Sequence, residues 1–330
     1  MNNVTVLGCG RWASLHAWYS ALLGNKVMMW EPETSPTYQQ LQKTRRNEYL
    51  TLPNDVKLTS NLGQALDHSN YVVVAISAQG MGDLSAKIAA HKPANKTFML
   101  CMKGLMDDGT RLSTHLRNQL DEKGAGNNEI TVWVGSGHAQ TLTKGDPSVM
   151  IVGGERPQAA ADVVQRFSSD LIALRQGNDL IGIEIGAASK NVAGLAAGML
   201  DGMKLSGLKS ELAHEFPKEI SRLTVALGGE QDTAFGISHL GDYGATVFSP
   251  NSQNRLYGEK FVTGQHSDRL AEGVAASSAL QILSNKHDTE IPISTLVYKI
   301  LHENENPDRL RKLFMNGTSG IKQPSTAVKE

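Results

Sequence analysis

The sequence predicts an α/β fold in two parts, a doubly wound, mostly parallel sheet followed by an all-α domain. Three observations carry this. Short β-branched apolar runs alternate with amphipathic stretches from Val4 to about residue 180, and the first run breaks on a Gly-containing turn. After about Leu180 the β-branched runs nearly vanish, while helix-like segments with Gly-containing breaks continue. Continuous apolar runs suit strands covered on both faces, and amphipathic segments between them suit crossover helices. The division falls at 1–182 and 183–330.

The strand runs are "VTVL", "KVMMW", "YVVVAI", "TFMLCM", "ITVWV" and "SVMIV". In the second part, "IGAASKNVAGLAAGMLDG" predicts a helix over 184–200. Positions three, four and seven from Lys190 are then Gly186, Ala187, Ala193, Gly194 and Ala197. Lys190 stands on a small-residue face that either packs tightly or lines a pocket. "AEGVAASSALQIL" and "EIPISTLVYKIL" predict an amphipathic pair that packs the helical part, with Pro292 near a helix start. "RWASLHAWYSALL" is a helix that places Trp18 and Tyr19 in core contacts. The polar tail "NGTSGIKQPSTAVKE" is expected to fray.

Composition limits the function. A chain of 330 residues with 32 Lys plus Arg against 33 Asp plus Glu carries no general field for nucleic acid or an anionic membrane. An anionic ligand must meet a local site. Two cysteines, Cys9 and Cys101, occur without CxxC or a His/Cys cluster at ligand spacing, so neither a disulfide framework nor a metal site is expected, and a reducing cytoplasm fits. The opening "MNNVTVLGCG" has no basic n-region, and no uninterrupted apolar window reaches about eighteen residues, so neither an export signal nor a membrane span is expected.

The first strand runs into Gly8, Gly10 and Ala13, a G-x-G-x-x-A at the start of a helix-like run. There, backbone N–H groups and the helix N-terminus hold a pyrophosphate, the fingerprint of a Rossmann-type domain. The second strand closes on Glu31, at about the 20-residue distance of a ribose-binding acid. A carboxylate there accepts both adenosine ribose hydroxyls and repels a 2′-phosphate, which favours NAD. Arg45 and Arg46 downstream keep NADP open.

"GCGRWA", "RRNEYLTLP", "SNLGQALDHSNYVVVAISAQ", "MKGL", "SKNVAGLAAGMLDG", "HLGDYGAT", "SPNSQNRLYGE", "AEGVAAS" and "EIPISTLVY" follow one another along almost the whole chain. In that order they resemble the bacterial NAD(P)-dependent glycerol-3-phosphate dehydrogenases. The resemblance implies hydride transfer between a nicotinamide and dihydroxyacetone phosphate, giving sn-glycerol 3-phosphate. It implies Lys190 as general acid/base with Asn191 beside it, Lys103 as second lysine, Asp242 orienting the ammonium, and a hydroxyl from Thr246. It places Gly8, Gly10, Arg11, Trp12, Glu31, Lys103, Ala139 and Arg255 at the dinucleotide. Gly135, Lys103, Lys190, Asp242, Gln253, Asn254 and Arg255 fall at the substrate. A cytoplasmic homodimer is implied as well.

The chain also departs from that pattern. Gln253 stands where the family has a phosphate-binding arginine, and an amide lacks the charge and fork of a guanidinium. Gly135, Ser136, Gly137, His138 and Ala139 replace Gly-Pro-Ser/Thr-Phe-Ala. Ile76, Ser77, Ala78 and Gln79 replace Val-Pro-Ser-Gln. The stretch after Gly202 is one residue shorter, and His214, Glu215 and Phe216 follow it. Two accounts cover these changes. Either Arg255, Lys209 or Lys204 supplies the missing charge, or the scaffold now reduces another small ketone. A non-catalytic NAD-sensing protein is a third reading. His138 and His239 are expected to be packed or partly solvated imidazoles.

Overall fold

The computed structural model describes residues 2–266 and 271–317, so the tail lies outside the described residues from 318 onward. One eight-stranded sheet dominates the first half: β1 (Asn3–Leu7), β2 (Lys26–Trp30), β3 (Lys57–Thr59), β4 (Tyr71–Val74), β5 (Thr97–Leu100), β6 (Glu129–Gly135), β7 (Ser148–Gly154) and β8 (Ile172–Gly177). Their spatial order is β3-β2-β1-β4-β5-β6-β7-β8. All pairs are parallel except β6 with β7. Leu7 of β1 lies between Trp30 of β2 and Val74 of β4, and the chain direction of the winding reverses there. In an open parallel sheet that reversal leaves a crevice at the carboxyl ends of the strands.

The six apolar runs are six of these strands. Two strands carry no such run. β3 is three residues long, and β8, at the sheet edge, alternates buried Ile172 and Leu174 with exposed Ala173 and Arg175. Only one face of β8 meets a core, so its sequence lacks the continuous apolar signature of a strand covered on both faces.

The helical half is organised around the helix Leu180–Gly202, which starts four residues earlier than its pattern predicts because Asp179 caps it, accepting from the Gly182 N–H at 2.9 Å. Residues 182–200 are all buried, so this helix has no solvent face. Ile183 and Ala187 join the apolar layer under the sheet, whereas Ile185, Ala188 and Val192 join the helical core. The helix therefore belongs to both halves, and a division at residue 182 falls inside it.

Its small residues admit the backbone of its neighbours. A Cβ on Gly198 would come within 1.8 Å of the Arg255 carbonyl oxygen, and one on Gly258, in the helix Gln253–Val262, within 2.2 Å of the Leu195 carbonyl oxygen. Both obstacles are backbone and cannot rotate away. Gly198→Ala is expected to destabilise the protein by about 3 kcal/mol in denaturant unfolding. Gly207→Ala, where a Cβ meets nothing within 4 Å, should change stability by less than about 0.5 kcal/mol.

Candidate active site

A cavity of about 660 Å³ opens at the carboxyl ends of β1, β2, β4 and β5 and runs to the central helix. At its sheet end lies the Gly-containing turn. Gly8 has φ +119°, and a Cβ there would stand 2.5 Å from the Ala75 carbonyl oxygen, so only glycine lets β1 turn against β4. Gly10 caps the helix Arg11–Leu22 without a side-chain hydrogen bond, and nothing lies within 4 Å of where its Cβ would be. The first N–H groups of the helix thus face open space, which suits a pyrophosphate. Glu31 lines the cavity at the end of β2 and accepts a hydrogen bond from Thr37 Oγ1 at 2.8 Å. Arg45 donates instead to the Val56 carbonyl at 2.6 Å and to that of Pro53, away from this end.

At the other end three elements converge on one carboxylate. Lys103 follows β5, Lys190 lies midway along the central helix, and Asp242 sits in a short 3-10 turn, Leu240–Asp242. Asp242 Oδ2 accepts from Lys103 Nζ at 2.8 Å and lies 3.0 Å from Lys190 Nζ. Lys103 also donates to the Gly135 carbonyl at 2.6 Å, and Lys190 to Thr246 Oγ1 at 2.7 Å. All three charged groups are buried. Asp242 Oδ1 is buried without a hydrogen-bond partner among the described residues.

Burial pulls the Lys190 ammonium down to about 8; Asp242 opposes that shift and Lys103 adds to it. One carboxylate between two buried cations leaves this three-residue array with a net positive charge. Such an array can deliver a proton near neutral pH and offset a developing oxyanion.

Neighbouring groups hold the array in place. Asn191 Nδ2 donates to the Lys103 carbonyl at 2.8 Å, and its Oδ1 accepts from Asn254 Nδ2 at 3.0 Å. A Cβ on Gly194 would lie 3.0 Å from Asn254 Cβ and Thr246 Cγ2, so the small-residue face around Lys190 both packs tightly and lets these side chains reach the cavity. His239 is a satisfied core imidazole: Nδ1 lies 2.9 Å from the Gly186 carbonyl oxygen and Nε2 lies 2.8 Å from Tyr243 Oη.

Thus Gly8, Gly10, Arg11, Trp12, Glu31, Lys103 and Ala139 line the same cavity as Lys190, Asn191, Asp242, Thr246, Gln253 and Asn254. Two expected residues do not line it. Gly135 contributes only its carbonyl to Lys103. Arg255 turns away, with Nη1 2.6 Å from Asp201 Oδ2 and 3.3 Å from Glu259 Oε2, and with Nε donating to the Ser249 carbonyl at 3.0 Å. Gln253 and Arg255 are two positions apart on a helix, which sets them on opposite sides. Lys209 is bound to Asp201 at 2.9 Å, and Lys204 is exposed outside the cavity. Neither they nor Arg255 bring charge to the cavity wall.

The sequence reading missed Glu272. The segment it opens was expected to serve packing alone, yet Glu272 begins the helix Glu272–Lys286 at the cavity wall, its carboxyl pushed up by burial against the pull of Lys190, Lys103 and Arg11. The signal was an acid at a helix start, a common feature that singles out nothing by itself.

Comparison with known proteins fits this arrangement. A sequence model described as the NAD-dependent glycerol-3-phosphate dehydrogenase N-terminus matches residues 3–160, and one for the C-terminus of the same enzyme matches residues 179–312. A Fusobacterium nucleatum protein named glycerol-3-phosphate dehydrogenase, NAD(P)+, is 30% identical over 319 residues, covering 93% of this chain and 94% of the relative. The chain belongs to this family. A Deinococcus radiodurans relative of the same name is 30% identical over 311 residues, covering 92% of this chain and 91% of the relative. Among solved structures, the glycerol-3-phosphate dehydrogenase of Coxiella burnetii superposes with a TM-score of 0.88 at 23% identity, covering 96% of this chain and 99% of that one, and so shares the fold.

Removing the Asp242 charge removes the influence that raises Lys190. In Asp242→Asn, Lys190 is expected to titrate at least one unit below about 8, read by NMR of side-chain-labelled lysine, with Lys190→Arg identifying the resonance.

Proposed function

We propose that this protein interconverts dihydroxyacetone phosphate and sn-glycerol 3-phosphate with NAD as cofactor. The observation that carries the reading is the Lys103–Asp242–Lys190 array at one end of a cavity whose other end is a dinucleotide fingerprint. When bound, the nicotinamide supplies or accepts hydride at the substrate carbon.

In reduction, the Lys190 ammonium donates its proton to the ketone oxygen, and Lys103, with a second positive charge, lowers the energy of the developing alkoxide. Asp242 holds both ammonium groups through Oδ2, and its unpartnered Oδ1 is left to accept from a substrate hydroxyl. Thr246 fixes the direction of the Lys190 ammonium, and Asn191 ties the central helix to the backbone of Lys103. In the reverse direction neutral Lys190 takes the hydroxyl proton. Gly8, Gly10, Trp12 and Ala139 hold the dinucleotide, and Glu31 takes the ribose hydroxyls. Gln253 and Asn254 offer amides to the substrate.

A cytoplasmic homodimer that supplies glycerol phosphate for lipid synthesis completes the proposal. Two buried free thiols suit a reducing compartment, and Val225 and Phe235, exposed beside one cleft, give a second copy apolar surface to cover. No helix among the described residues is long and apolar enough to cross a membrane.

Lys190→Ala should lower kcat between about 10²- and 10⁴-fold. NADH affinity, measured by fluorescence titration, should stay within about threefold; equal loss of both would remove Lys190 from proton transfer. Because reduction needs the ammonium form, kcat/KM should fall above about pH 8 in the wild type. Glu31→Ser should raise the NADP/NAD ratio of kcat/KM by at least about tenfold, since the carboxylate that repels a 2′-phosphate is gone.

A further inference from the structure

A phosphate monoester brings a charge of about −1.5 to −2 into the cavity and needs a cation that no protein carboxylate already holds. Among the described residues, the cations that line the cavity are Arg11, Lys87, Lys103 and Lys190. Lys103 and Lys190 share Asp242, and Lys87 is half exposed and paired with Asp83 at 2.6 Å. Arg11 alone in this set has no carboxylate within 4 Å among the described residues. Its guanidinium lies 4.6 Å from the centre of the Tyr49 ring, and Nη2 is 3.5 Å from Tyr49 Oη. Stacking of this kind fixes the guanidinium plane while leaving its N–H edge available for a bidentate contact.

The side chain lines the same cavity as His138, Glu272, Gln253 and Asn254. The His138 imidazole is held below its usual pKa by burial first and by the Arg11 charge next, and the Glu272 carboxyl feels Arg11 together with both lysines. His138 Nε2 lies 3.3 Å from Ser249 Oγ, and the chain from there continues into Ser252, Gln253 and Asn254 on the cavity wall. Among the described residues, this wall carries hydroxyls and amides but no cation of its own, since Arg255 is committed to Asp201. The dinucleotide pyrophosphate, by contrast, has the N–H groups of the helix Arg11–Leu22 to receive it.

We propose that Arg11 is the specificity-determining cation of this enzyme, binding the phosphate of the substrate through its guanidinium while its own backbone serves the dinucleotide. The proposal rests on the triose phosphate reading above. It makes one residue of the fingerprint turn a contact for both ligands, main chain to cofactor and side chain to substrate.

The test compares dihydroxyacetone phosphate with unphosphorylated dihydroxyacetone in the wild type, in Arg11→Met, which keeps the aliphatic stem against Tyr49, and in Arg11→Lys. The kcat/KM preference for the ester should fall about 30-fold in Arg11→Met and be partly kept in Arg11→Lys, with NADH Kd changed less than about threefold. NADH binding also reports that each variant is folded. An ester preference unchanged in Arg11→Met overturns the proposal, and an NADH Kd raised about 30-fold with the preference intact assigns the side chain to the pyrophosphate instead. A wild type with no ester preference overturns the triose phosphate reading, and this proposal with it.

Discussion

A single carboxylate oxygen shared by two buried ammonium groups is the constraint around which this protein is assembled. Leaving either lysine buried without a counter-charge would cost several kcal/mol, so the segment after β5 that carries Lys103, the helix that carries Lys190 and the turn that carries Asp242 must meet within hydrogen-bond distance. The meeting is tight because each lysine has a second acceptor, Gly135 O for one and Thr246 Oγ1 for the other. The three-residue array stays net positive, which is also the electrostatic demand of carbonyl reduction. Stability and chemistry here draw on the same three residues.

Small side chains make that convergence possible. Gly194, Gly198 and Gly258 let the helix Gln253–Val262 press its backbone onto the central helix, and Gly273 packs against the Asn191 carbonyl while its N–H donates to Asn254 Oδ1. The amides of Asn191 and Asn254 then join three elements in one chain of hydrogen bonds ending at the Lys103 carbonyl. Bulkier residues on these faces would still make a helical domain, but with the cavity wall displaced from the lysines.

Much of this was legible in the sequence where a local pattern and a chemical role coincide. Gly8 announces its turn because no other residue fits there, with Gly10 and Ala13 at the fingerprint spacing, and six strands announce themselves because both their faces are covered. Lys190 stood out as a cation among Gly and Ala. What stayed hidden depends on tertiary partners. β3 and β8 have too few buried positions to print a pattern. The family resemblance implies Arg255 at both the dinucleotide and the substrate, yet helical geometry turns it toward Asp201. Glu272 reaches the cavity only because its helix begins there, and the stacking of Arg11 on Tyr49 joins segments that no spacing rule links.

The central helix, buried from residue 182 to 200, also governs the order in which the protein can be made. It leaves the ribosome before Gln253–Val262 and Glu272–Lys286, the helices that cover it, have been synthesised. For that interval an almost wholly apolar cylinder is attached to a nascent sheet able to cover only the side bearing Ile183 and Ala187. Nascent chains halted between these points expose the surface that chaperones bind and that self-associates at high concentration. The feature that fuses the two halves of the enzyme is thus the one that makes its unfinished chain vulnerable.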